Sequence, residues 1–237
     1  MKERKTPDGD AGSLAGVALL QELSLGDLEQ AAKSARWRSY SAQEQIIDRQ
    51  SEATDVFFVV DGRARVVNNS VSGREITLDD INAGGHFGEL AAIDGQPRSA
   101  SVMALTQCSV AIMPQDRFME LVENHSSVAL KVMRGLASII RNSTERIMDL
   151  STLAANNRVQ ADLLRLALNN MDDDNRASIP PIPVHADVAS RVSTTRETVA
   201  RVMNDLARQG IVERQKNALV VQDVEQLQDM VEEVRGE

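Results

Sequence analysis

The sequence predicts an α+β protein with an N-terminal β-roll, then a long helix, then a C-terminal winged helix-turn-helix domain. Three observations lead to this prediction. Short apolar runs separated by glycine turns fill residues 37–113, which is typical of a barrel or a double-sheet roll. The segment 126–153 lacks proline and repeats apolar residues at helical spacing. Two short helical segments and a hairpin follow it.

Composition limits the classes of protein to which the chain can belong. It has 237 residues, 42% of them apolar, a net charge of −9 and one cysteine, Cys108. This length suits two small domains, and the acidic balance argues against coating nucleic acid through bulk charge. One cysteine excludes a disulfide within the chain and a cysteine-based metal cluster, so we expect no metal. We expect a cytoplasmic protein with no membrane partner, because no apolar run approaches about 18 residues.

The predicted organisation has four parts: a disordered tail, a roll domain, a helix ending in a hinge, and a C-terminal domain. Their bounds are residues 1–13, 14–125, 126–156 and 157–237. The tail is charged and lacks the apolar run of a signal peptide. The hinge is predicted at Asn156-Asn157.

The long helix carries an apolar seam whose members step alternately by three and four residues, the pattern of two helices packed together. They are Met133, Leu136, Ile140, Ser143, Ile147, Leu150 and Ala154. The seam predicts a homodimer. Ser143 and the adjacent Thr144 interrupt it with hydroxyl groups, which either set the register of the pair or bind a ligand.

The segment 85–102 contains the groups expected at a site for a small phosphate ester. Gly88 lets the backbone approach an anion, and Glu89 is an acceptor suited to a ribose hydroxyl. Arg98 is a permanent cation whose planar fork matches phosphate oxygens, and Ser99 adds a hydroxyl donor beside it.

This segment resembles the phosphate-binding cassette of the cyclic-nucleotide-binding domain family. The resemblance implies that Glu89 holds the ribose 2′-hydroxyl and Arg98 holds the cyclic phosphate. Gly88, Leu90 and Ala91 match the backbone positions around the sugar-phosphate.

The C-terminal part reads as two helices, Val184–Val192 and Thr195–Gln209, joined by a turn at Ser193-Thr194. Thr194 and Glu197 have the spacing of a capping box. The hairpin 211–221 then predicts a wing.

The second of these helices exposes side chains that read base edges. Arg196 and Arg201 match guanine, and Glu197 can accept from the cytosine amino group. The string from Thr195 to Arg201, which includes Thr198, resembles the recognition helix of the cyclic AMP receptor protein family.

A local basic cluster in an acidic chain supports DNA contact. Its members are Arg191, Arg196, Arg201, Arg208, Arg214 and Lys216. Lys216 lies at the tip of the predicted wing, within reach of phosphate.

The order and spacing of residues 14–221 resemble that same receptor family. The resemblance implies a homodimer on double-stranded DNA, a TGTGA-like inverted repeat, and RNA polymerase as a partner. It also implies that Ser143 and Thr144 contact the base of the ligand. Cyclic AMP is favoured, and Ser99 leads us to expect cyclic GMP to bind as well. Ser193 departs from the family, which has glycine in the turn.

Three other functions are alternatives to this one. An enzyme is disfavoured because no Walker loop, G-x-S-x-G or H-E-x-x-H motif is present. A stand-alone nucleotide-binding subunit is disfavoured by the recognition-helix string. A family regulator that responds to another ligand or to none stays open. Haem bound through His86 is disfavoured by the intact Glu89 and Arg98.

Overall fold

The computed structural model describes residues 10–70, 73 and 75–236 in two compact units. The first unit extends to Ser138 and the second begins at Ile139, a boundary that falls inside one 27-residue helix. Over the described ranges, the helices are α1 (Ala11–Ala15), α2 (Leu25–Ser34), α3 (Glu89–Asp94), α4 (Gln115–Asn124), α5 (Ser126–Thr152), α6 (Ala155–Leu168), α7 (His185–Arg191), α8 (Arg196–Arg208) and α9 (Val224–Arg235). The strands are β1 (Arg36–Tyr40), β2 (Gln45–Ile47), β3 (Val56–Asp61), β4 (Arg63–Asn69), β5 (Glu75–Asn82), β6 (His86–Phe87), β7 (Ser101–Ala104), β8 (Cys108–Met113), β9 (Ala177–Ile179), β10 (Val212–Arg214) and β11 (Leu219–Val221).

The first unit is a roll of two four-stranded antiparallel sheets. Their strand orders are β1-β8-β3-β6 and β2-β7-β4-β5. An inner core lies between the sheets, and an outer core joins the first sheet to helices α1, α2, α4 and α5. The predicted roll is therefore confirmed.

Strand β3 explains why the sequence has a continuous apolar run here and no alternation. Phe57 and Val59 belong to the inner core, while Val56 and Phe58 belong to the outer core. Because successive side chains of a strand point to opposite faces, a strand that is buried on both faces needs apolar residues throughout.

The second unit forms around one apolar core shared by α6, α7, α8, α9 and a small sheet. The sheet has the order β10-β11-β9. The two helices of the predicted helix-turn-helix and the predicted hairpin are present. Strand β9, Ala177–Ile179, has only three residues and lies between an Asp-rich turn and several prolines, so the sequence pattern does not indicate it.

Two predicted boundaries differ from the structure. Residues 1–9 of the predicted tail lie outside the described residues, but Asp10 caps a helix that begins at Ala11, so the tail does not extend to residue 13. The long helix ends at Thr152 and α6 begins at Ala155, so the break precedes the predicted Asn156-Asn157 hinge. In the described ranges, no helix is long and apolar enough to cross a bilayer.

Candidate ligand site and DNA interface

Arg98 is the most constrained residue of the cassette, with 4% of its surface exposed. Its Nη1 donates to the Gly88 carbonyl at 2.8 Å, and its Nη2 donates to the Asp55 carbonyl at 2.5 Å. The Nε atom is buried and has no hydrogen-bond partner within the described part of the chain. A buried cation with a donor still unused fits an anionic ligand such as a phosphate.

Gly88 is required by this arrangement for two reasons. Its φ of +89° lies in the left-handed region that favours glycine. A Cβ atom at this position would lie 2.7 Å from Arg98 Nη1 and 3.0 Å from the Asp55 carbonyl oxygen. Any other residue here would displace the guanidinium.

The remaining cassette residues surround this pair. Glu89 begins α3 directly after Gly88 and is half-buried. Leu90 is 38% exposed, whereas Ala91 packs inside. Ser99 follows Arg98 and is exposed.

Electrostatics agree with an anion site. Burial lowers the pKa of Arg98, and the negative charges of Asp55 and Glu89 oppose this shift, so the guanidinium stays cationic at neutral pH. Burial also lowers the pKa of His86. His86 therefore adds no positive charge at neutral pH, which leaves Arg98 as the cation of the cassette.

Helix α3 is tied to α4. Gln115, the first residue of α4, donates from Nε2 to the Ala92 carbonyl at 2.7 Å. Ala92 also packs in the outer core with Phe118 of α4 and Val128 of α5. The cassette is thus in contact with the helices that lead into α5.

Helix α5 exposes a series of large apolar side chains. They are Leu130, Met133, Ile139, Ile140, Ile147, Met148 and Leu150, all between 44% and 65% exposed. Ser143 and Thr144 are exposed on the same helix, and the Thr144 hydroxyl donates to the Ile140 carbonyl at 2.9 Å.

Helix α8 buries one face and exposes the residues predicted to read DNA. Its buried face contains Val199, Val202 and Leu206. Arg196, Glu197 and Arg201 are exposed, and so is Lys216 in the turn between β10 and β11. The Arg201 Nη2 donates to Asn156 Oδ1 at 3.0 Å.

The N-cap of α8 is Thr195, one residue later than the predicted Thr194. The Thr195 hydroxyl accepts from the Thr198 backbone N–H at 3.3 Å. A hydrogen bond from its own backbone N–H and one from the Thr195 hydroxyl lower the pKa of Glu197. Glu197 is therefore an ionised acceptor at neutral pH, as contact with a cytosine amino group requires.

The comparisons with known proteins match both halves of the chain. Residues 37–125 match the model of the cyclic nucleotide-binding domain, and residues 157–230 match that of the Crp-like helix-turn-helix domain. The chain belongs to the cyclic AMP receptor protein family of transcription regulators. This family consists of DNA-binding regulators and not of enzymes.

Similar proteins span almost the same length. The cAMP-activated global transcriptional regulator Vfr of Pseudomonas aeruginosa is 27% identical over 209 residues, which cover 86% of this chain and 98% of Vfr. The regulator CRP of Salmonella typhimurium is 25% identical over 183 residues, which cover 77% of this chain and 87% of CRP. A CooA mutant from Carboxydothermus hydrogenoformans has a TM-score of 0.74 at 21% identity and covers 96% of this chain and 98% of its own, which shows a shared fold.

In this receptor-family regulator, Arg158 holds the turn of the helix-turn-helix, a role that the sequence did not indicate. Its Nε donates to the Val192 carbonyl at 2.9 Å and its Nη2 to the Ser193 carbonyl at 3.1 Å. Its Nη1 donates to the Leu153 carbonyl at 2.8 Å, where α5 ends. One guanidinium therefore links the break after α5 to the turn before α8.

Two arginines of the predicted basic cluster are held in ion pairs within the regulator. Arg191 forms a buried ion pair with Asp162, at 2.8 Å. Arg208 pairs with Asp205 on the surface. The positive charge that can meet DNA is therefore concentrated on α8 and on the hairpin turn.

Ser193 is strained, because its φ of +51° is left-handed and it is not glycine. Replacing Ser193 by glycine is expected to raise the free energy of unfolding by about 0.5–1 kcal/mol, since glycine tolerates this conformation. Urea unfolding measures the change. Ser138→Gly, at an exposed position in the interior of α5, is the control and should destabilise. Stabilisation by both variants, or by neither, would contradict strain at Ser193.

Two observations on the described residues bear on metal binding. No group of three His, Cys, Asp or Glu side chains in those ranges is placed to hold a metal ion. Burial raises the pKa of the Cys108 thiol to about 11, so Cys108 is not a thiolate at neutral pH.

Proposed function

We propose that this protein is a homodimeric regulator that binds cyclic AMP in the roll and thereby gains affinity for a TGTGA-like inverted repeat. The environment of Arg98 supports the binding of a cyclic nucleotide. Arg98 is a buried cation that bonds the Gly88 and Asp55 carbonyls, and its Nε donor has no partner among the described residues. A cyclic phosphate supplies the acceptor that this donor lacks.

The ligand is proposed to meet three groups of residues. Arg98 and Ser99 hold the phosphate, and Glu89 accepts from the ribose 2′-hydroxyl. Gly88, Leu90 and Ala91 contribute backbone around the sugar-phosphate. Ser143 and Thr144, exposed on α5, contact the base. The names of Vfr and CRP, which describe activation by cAMP, support cyclic AMP as the ligand, and we expect cyclic GMP to bind as well.

The dimer is proposed to form through α5. Seven large apolar side chains exposed along one helix would cost solvation free energy in a monomer, and a second copy would bury them. Ligand that contacts Ser143 and Thr144 would then act on the helix pair, and so on the geometry of the two DNA-binding domains.

DNA recognition is proposed to use α8 in the major groove. Arg196 and Arg201 would bond guanine, and Glu197 would accept a hydrogen bond from the cytosine amino group. Thr195 and Thr198 would lie near the DNA backbone. Lys216 would contact phosphate from the hairpin turn. Two such helices about 34 Å apart would read the two halves of an inverted repeat. A regulator of this kind acts in the cytoplasm and works with RNA polymerase.

Base-reading and phosphate-binding residues should respond differently to replacement. Arg196→Ala and Glu197→Ala are each expected to cost about 1–3 kcal/mol on the specific site and much less on unrelated DNA. Lys216→Ala should weaken both complexes alike and reduce the salt dependence of affinity by about one ion. Fluorescence anisotropy at several salt concentrations measures both effects. An equal loss on both DNAs for Arg196→Ala would contradict base reading.

Direct calorimetric titration of the full-length protein with cyclic AMP and cyclic GMP tests the ligand. We expect saturable binding of one nucleotide per protomer, tighter for cyclic AMP. Failure of both nucleotides to bind would reject the cyclic-nucleotide half of the proposal and leave a DNA-binding regulator.

A further inference from the structure

Buried polar side-chain atoms without a partner are rare in the described residues. They are Asn68 Oδ1, Arg98 Nε and Arg165 Nε. Arg98 belongs to the cassette, and Asn68 contacts the cassette residue Ser99. A buried acceptor that lacks a donor is costly, so the position of Asn68 beside the candidate ligand site calls for an explanation.

The alternation of side chains along β4 places Asn68 on the inner face of the roll. Strand β4 pairs without a break with β7, Ala64 opposite Ala104 and Val66 opposite Val102. These side chains form or line the inner core. Because side chains alternate along a strand, Asn68 shares the inner face with Ala64 and Val66.

One hydrogen bond fixes the orientation of the Asn68 amide. Its Nδ2 donates to the Ser99 carbonyl at 3.4 Å. The reversed amide would bring two acceptors together, because a carbonyl cannot donate. Oδ1 is therefore an acceptor that solvent does not reach. The Nδ2 atom of the same amide bonds the backbone of Ser99, which is proposed to hold the phosphate together with Arg98.

We propose that Asn68 is a specificity-determining residue whose Oδ1 accepts a hydrogen bond from the exocyclic amine of a purine base. This inference rests on the proposed cyclic-nucleotide function. A phosphate offers no N–H donor, and the ribose 2′-hydroxyl is assigned to Glu89. The base amine is then the donor that a cyclic purine nucleotide brings into the roll beside Ser99.

The test uses two pairs of ligands that differ by one amine. Cyclic AMP is compared with the cyclic monophosphate of purine riboside, and cyclic GMP with cyclic IMP. Calorimetry on the full-length protein is expected to give a preference of about fivefold for the amine in one pair, the usual net effect of one neutral hydrogen bond. Asn68→Leu keeps the side chain branched at Cγ but cannot accept a hydrogen bond, so it should abolish that preference by weakening only the amine-bearing ligand.

Asn69→Leu is the matched control, because Asn69 is the next residue of β4 and is exposed. It should leave all four affinities unchanged. Loss of the preference in the adenine pair assigns the 6-amine, and loss in the guanine pair assigns the 2-amine. Equal weakening of all four ligands by Asn68→Leu, or an unchanged ratio in both pairs, overturns the inference. Failure of the unaltered protein to bind any of the four would instead reject the proposed function itself.

Discussion

Replacing Asp149 by alanine is expected to lower the free energy of unfolding of the second unit by about 3 kcal/mol. The Asp149 side chain is 4% exposed and contacts two guanidinium groups, Arg165 from α6 at 3.1 Å and Arg235 from α9 at 2.7 Å. Its removal leaves two cations without their counterion. This value is at the lower end of the cost of breaking a buried ion pair, because both arginines are about one quarter exposed.

Asp205→Ala is the matched control for this prediction. Asp205 pairs with Arg208 at the surface, where the Asp205 side chain is 46% exposed and that of Arg208 77%, so its loss should cost less than about 0.5 kcal/mol. Urea unfolding followed by far-ultraviolet circular dichroism measures both variants. The single tryptophan, Trp37, lies in the first unit, and its fluorescence should be unaffected by either change. Similar costs for the two variants would show that burial of Asp149 contributes nothing.

Replacing Arg98 by lysine is expected to weaken cyclic AMP binding by roughly 100-fold. Lysine keeps the charge but lacks the planar fork, so it cannot bond the Gly88 and Asp55 carbonyls while also donating to a phosphate. Loss of about two charge-assisted hydrogen bonds, each about 1.5 kcal/mol or more, gives this magnitude. Calorimetry with cyclic AMP measures it.

Arg36→Lys is the control for the Arg98 prediction. Arg36 also contacts Asp55, but through the carboxylate, at 2.8 Å, and its side chain is 69% exposed. The same chemical change there should alter cyclic AMP affinity by less than about twofold. Equal losses for Arg36→Lys and Arg98→Lys would mean that Asp55, and not the phosphate-binding fork, controls affinity.

The sequence predicted the fold and both candidate sites because their signals are local. Cassette residues lie within one short segment, and the recognition helix is one amphipathic run whose buried Val199, Val202 and Leu206 follow helical spacing. The same segment indicated that Gly88 lets the backbone approach a ligand. Its left-handed conformation and the close approach of Arg98 are seen only in the structure.

Contacts between residues distant in sequence could not be predicted. Arg158 reads as a charged residue of an amphipathic helix, yet it binds carbonyls of Leu153 and Val192. Asp149 and Arg235 are separated by 86 positions, and nothing in the pattern pairs them. Asn68 lies at the end of a strand whose inward face is otherwise apolar, and only its hydrogen bond to the Ser99 carbonyl shows that it lies beside that residue.

The proposed function requires that a cyclic nucleotide controls DNA affinity. Fluorescence anisotropy of a labelled TGTGA inverted repeat, titrated with the protein at fixed salt without ligand, with cyclic AMP and with cyclic GMP, tests it most directly. We expect tight binding with cyclic AMP, weaker binding with cyclic GMP, and little specific binding without ligand. Equal affinity in all three titrations would mean that cyclic nucleotides do not control DNA binding by this protein.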